Sequence, residues 1–170
     1  MKNTVLKFGL YSGVVSATLM FLTTFFVESI GFDRGVYVGY TAILISFLFV
    51  YFGVRSYRDN VLGGQITFAR GFNAGILITL ISCACYVATW EFVYFNLMPD
   101  FAEKYTAYAI EHARASGATQ QAIDATARQM EDFKRMYDNP LMNAAITFTE
   151  PFPIGLLVTL ISAAVLRTKK

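Results

Sequence analysis

MNAAITFTEPFPIGLLVTLISAAVL, residues 142–166, is hydrocarbon almost throughout, and is broken at one point where Glu150 stands before Pro151 and Pro153. A helix needs about 20 apolar residues to cross a hydrocarbon core, and this stretch has them. Its apolar residues run on without alternating, so it reads as a helix and not as a barrel strand. The fold follows from repeating this reading along the chain. The function turns on why a charge and two prolines lie in such a stretch.

Three further stretches have the same character, giving expected spans at residues 6–27, 35–54, 71–97 and 141–166. Of the 170 residues, 55% are hydrophobic and only 15% charged, where a soluble domain carries about a quarter. The sequence therefore predicts one all-α, polytopic membrane domain over residues 1–170, with four transmembrane helices. A net charge of +2 with no basic stripe excludes a nucleic-acid partner; membrane lipid is the expected surrounding. Lys2 and Lys7 ahead of an apolar run resemble a secretory signal, but the run continues past Val15-Ser16-Ala17, the one small-residue site. An uncleaved first span is expected.

Lys2 and Lys7, the loop cations Arg55, Arg58 and Arg70, and the terminal Arg167, Lys169 and Lys170 all belong to one side. Only Arg34 separates spans one and two. The positive-inside rule then places both termini in the cytoplasm of a bacterial inner membrane. Against it, the outer segment between spans three and four carries Lys104, Arg114, Arg128, Lys134 and Arg135. In that segment Phe101, Tyr105, Tyr108 and His112 recur at helical spacing. After Ser116-Gly117, Thr119 can cap a second helix striped by Ile123, Ala127, Met130, Phe133 and Tyr137. This predicts an extramembrane amphipathic helical hairpin over residues 100–138. Its apolar side lies on the membrane surface or on a protein partner, or forms a lid on the chain's own bundle.

Lipid gives helices no hydrophobic drive to associate, so close backbone approach matters. Gly9, Gly13 and Ala17, then Gly35 and Gly39, Gly71 and Gly75, and Gly155, Thr159 and Ala163 put small residues four apart on every span. They predict a tight bundle, packing within one chain or also as a homodimer. The halves are faintly alike: KFGLYSGV (7–14) and ARGFNAGI (69–76) share a basic approach and a Gly-x-x-x-Gly.

Depth can be counted at 1.5 Å per helical residue. Glu28 lies about 32 Å beyond Lys7, and the steps from Arg70 to Glu91 and from Arg55 back to Arg34 are the same. Glu150 lies about 26 Å from Arg167. Glu28, Arg34, Glu91 and Glu150 thus reach one level, the outer interface of a core about 30 Å thick. They either mark where each helix leaves the lipid or form a pocket, lined by Tyr37, Trp90 and Tyr94, for a proton, a cation or a cationic ligand. Pro151 and Pro153 lack N–H groups, so either the last span kinks there or it begins at Pro151, leaving the preceding residues on the surface.

Enzyme signatures are missing. There is no G-x-x-x-x-G-K-[ST] or G-x-G-x-x-G, GLYSG has its serine one place late for a nucleophile elbow, and His112 is the one histidine. Cys83 and Cys85 are too few for a structural zinc site, so neither metal nor cofactor is expected. A non-enzymatic protein is expected, acting through helix packing and its hairpin or, alternatively, as a carrier or sensor using its outer carboxylates.

GGQITFARGFNAG (63–75), preceded by FGVRSYRDN (52–60), is similar to the membrane family called Domain of Unknown Function (DUF) 4199. The resemblance extends to FGLYSG in span one, the MPDF exit of span three and the NP before the last span. It implies a bacterial four-helix membrane protein with no assigned biochemical role and offers no active-site residues to carry over.

Overall fold

A computed structural model describes residues 1–168, apart from the side chains of residues 27–29. Among them there are only helices. Helix α1 spans Lys2–Ile30, α2 Phe32–Val61 and α3 Phe68–Phe92, the last running into a π-helical turn at Val93–Leu97. Helices α4, Phe101–Ala115, and α5, Gln120–Tyr137, follow; then α6, Pro140–Phe148, and α7, Pro151–Leu166. Four passages are long and apolar enough to cross a membrane: Lys2–Phe26, Phe32–Val61, Phe68–Leu97 and Pro140–Leu166.

Gly31 alone joins α1 to α2, at φ 75 and ψ 158, a conformation that a side chain resists. Gly63 and Gly64, both at positive φ, turn α2 into α3. The loop between these helices is shorter than the sequence suggested, because FGVRSYRDN belongs to α2. Asp59 holds the helix there, pairing with Arg55 a turn earlier at 3.6 Å and with Arg58 at 2.6 Å. Thr67 then caps α3, accepting from Arg70 N. The carboxyl-terminal end is fastened to the same turn: Thr168 N donates to Ile66 O at 2.9 Å, and Ile66 N to Thr168 Oγ1 at 3.1 Å.

Helix α1 packs on α2 and α3, and α7 packs on the same two from the other side. Phe47, Val50, Val54, Ala74 and Ile78 fill the centre with almost no exposed surface. Small residues set the helix separations. A Cβ on Gly9 would lie 2.8 Å from Ile81, one on Gly13 2.6 Å from Cys85 Sγ, and one on Gly75 2.9 Å from Thr159. Gly71 faces the Ala163 backbone at 3.3 Å, and Gly155 faces Thr79 and Phe47. Hydroxyls join the helices at the same level: Ser12 donates to Ser46 O and meets Ser82 Oγ, both at 2.8 Å, while Thr79 and Thr159 meet at 3.0 Å. Such bonds contribute on average about 0.6 kcal/mol in a membrane.

Helices α4 and α5 pack against each other after a turn at Gly117, with φ 76. Thr119 caps α5 by accepting from Ala122 N. The hairpin's rings settle on its own chain: Phe32 of α2 meets Phe101, Tyr105 and Tyr108, and Trp90 of α3 meets Phe101 edge-on at 5.1 Å. Tyr108 also donates a short hydrogen bond to Asp33, which raises its phenol above the ordinary range.

Candidate functional site

The last passage is continuous but jointed. Asn139 Oδ1 caps α6 by accepting from Leu141 N and Met142 N, with Pro140 in the first turn. Helix α6 packs on α3, burying Asn143 and Thr147. At the joint, Thr149 and Glu150 keep helical backbone angles, so the chain direction is retained. The ladder changes there: Thr149 N donates to Ile146 O and Glu150 N to Thr147 O, three residues back, and neither Pro151 nor Pro153 has an N–H to give. The sequence left open a start at Leu141 or at Pro151; α6 begins at Pro140 and α7 at Pro151.

This joint lies on the wall of a half-open cavity of about 580 Å³ lined by parts of α1, α2, α3, the hairpin and α6. Met20 and Thr24 come from α1, Gly39 and Tyr40 from α2, and Tyr86 and Trp90 from α3. The hairpin contributes Phe101, Tyr105, Phe133 and Tyr137 to its wall. Helix α2 packs against α7 but makes no comparable packing with α6, which leaves space between them beside Glu150. Tyr86 OH donates to Glu150 Oε2 at 3.1 Å, and this bond links α3 to the joint.

Of the four charged residues expected at one level, Arg34, Glu91 and Glu150 have described side chains. Glu150 lines the cavity; Arg34 and Glu91 do not. Arg34 is exposed in the first turn of α2. Glu91 is half-buried, with Oε1 buried and without a partner among the described residues. No ion pair or hydrogen bond joins Arg34, Glu91 and Glu150. The Glu28 side chain lies outside the described residues. Of the rings expected beside these charges, Trp90 lines the cavity. Tyr37 points away, exposed, and Tyr94 is buried, donating to Asp138 Oδ1 at 3.1 Å. Gly39, grouped by its spacing with the packing glycines, also lines the cavity, and a Cβ there would meet nothing within 4 Å.

Two contributors were not singled out from the sequence. Tyr86 lies one helical turn before Trp90, and that spacing of four on α3 was the available signal. Asn143, fully buried, donates through Nδ2 to Tyr137 O at 3.0 Å and accepts from Thr147 Oγ1 at 3.1 Å, fixing the end of the hairpin to α6. Burial there, with the Glu150 charge second, pushes the Tyr137 phenol up to about 12.

A helical bundle with four membrane-length passages, with a cavity in one half lined in part by a helical pair, is the class this fold defines. The chain belongs to the family described as Protein of unknown function (DUF4199), whose model matches residues 7–168. No curated protein and no solved structure matches it.

Proposed function

We propose that this protein is a non-enzymatic, multi-pass component of the bacterial inner membrane, with cytoplasmic termini, that binds a small, mostly apolar molecule as a carrier or sensor. The observation that supports the reading is the cavity of about 580 Å³, large enough for a compact organic ligand and carrying Glu150 as its anchoring group. The orientation rests on Arg55, Arg58, Arg70 and Arg167 gathering at the end opposite the cavity. Gly9, Gly13, Gly71, Gly75 and Gly155, five of the seven glycines expected to mediate packing, are taken up inside the bundle, so a single chain is the functional unit in this reading. The alternative, a hairpin that recruits a protein partner, has less apolar surface to use, because Phe101, Tyr105 and Tyr108 already rest on Phe32 and Trp90.

Trp90 is the only tryptophan in the chain and lines the cavity, so it reports on occupancy. Titration with bromobenzene, a small apolar quencher, should quench its emission saturably in lipid nanodiscs. Gly39→Leu, which fills open space, should remove the saturable component and leave the fold intact. Linear, identical quenching in both proteins would overturn the reading.

A further inference from the structure

We infer that the cavity takes a hydrophobic organic cation, an ammonium-type group on an apolar body; this rests on the cavity reading above and names its ligand class. The argument starts from an incomplete electrostatic arrangement. Glu150 is held inside the bundle with one hydrogen-bond donor, Tyr86, on Oε2. Among the described residues no Lys, Arg or His pairs with it. A carboxylate withdrawn from water is costly unless a counter-charge and further hydrogen bonds compensate it, and here no described residue supplies a counter-charge.

The walls indicate which cation fits. A small hard ion requires several oxygen ligands in close array, and among the described residues no group of three His, Cys, Asp or Glu side chains exists. The Glu150 neighbourhood offers aromatic faces instead: Tyr40, Tyr86, Trp90, Tyr105 and Tyr137 all line the same space. Such faces attract weakly hydrated organic cations through the ring quadrupole, most strongly when water is excluded. One carboxylate and several rings therefore match one delocalised or alkylated positive charge carried on hydrocarbon. The space between α2 and α6 beside Glu150 adjoins the membrane-length passage Pro140–Leu166, which suits a ligand that partitions into the bilayer.

The test uses the full-length protein in zwitterionic nanodiscs and three probes of one shape: benzyltrimethylammonium, its neutral carbon analogue neopentylbenzene, and the anion benzylsulfonate. Each is titrated against the saturable quenching of Trp90 by bromobenzene at fixed ionic strength. In the wild type the cation should displace bromobenzene and the anion should not. Glu150→Gln should weaken the cation at least tenfold while changing the neutral analogue less than twofold. Equal displacement by anion and cation, or a Glu150→Gln variant that binds the cation unchanged, overturns the ligand class and leaves the cavity reading standing. Absence of any saturable component overturns both. The wild-type charge comparison needs no variant, so misfolding of Glu150→Gln would not shield the inference.

Discussion

Tyr86 and Glu150, 64 residues apart and on different membrane passages, meet through a hydrogen bond of 3.1 Å on the cavity wall. The bond satisfies one carboxylate oxygen and fixes the joint between α6 and α7 to α3. Tyr86→Phe should therefore destabilise the protein by about 1–3 kcal/mol, because it leaves a buried acceptor unpaired. Adding Glu150→Leu should recover part of that loss, since removing both partners is less costly than removing one. Unfolding in mixed micelles, followed by circular dichroism, measures both. Strictly additive losses would count against the bond.

The glycines divide into two behaviours. Gly155→Ala places a methyl against Thr79 and Phe47 in the packed half and should cost about 1–3 kcal/mol. Gly39→Ala meets nothing and should stabilise by about 0.5–1 kcal/mol through helix propensity. The same unfolding assay decides; equal effects at the two positions would contradict the hollow and packed halves.

Asn143→Ala strands the Tyr137 carbonyl and the Thr147 hydroxyl in a buried place. A loss of about 1–3 kcal/mol is expected, with faster amide exchange in the last turn of α5. Exchange rates in α5 that match the wild type would show that Asn143 does not hold the hairpin.

The Tyr137 phenol, raised by burial to about 12, favours its neutral form in the folded state. Its contribution to stability is complete below the ordinary tyrosine value of about 10 and is lost as pH rises toward 12. Between these values the melting temperature of the wild type should fall more steeply than that of Tyr137→Phe. Parallel curves would remove this tyrosine from the account.

The four apolar passages were readable because lipid imposes long, regular patterns, visible in stretches such as PFPIGLLVTLISAAVL. The length of α2 was less legible, since Arg55 and Arg58 mark a boundary of charge and not of helix. The grouping of Glu150 with Arg34 and Glu91 came from depth alone. Counting along the axis gives the level of a residue but not the direction in which its side chain points. Tyr86 and Asn143 act through partners 64 and six residues away, and their roles depend on rotation about each helix axis.

The joint at Glu150 has a mechanical meaning. Helix α6, nine residues long, is a lever arm of about 13 Å with its fulcrum at the charged residue. A rotation of about 10° there displaces the Asn139 end by about 2 Å, and through Asn143 the end of the hairpin moves with it. The joint and the cavity carboxylate thus coincide, and the hairpin's end is fastened through Asn143 to the short arm that starts there.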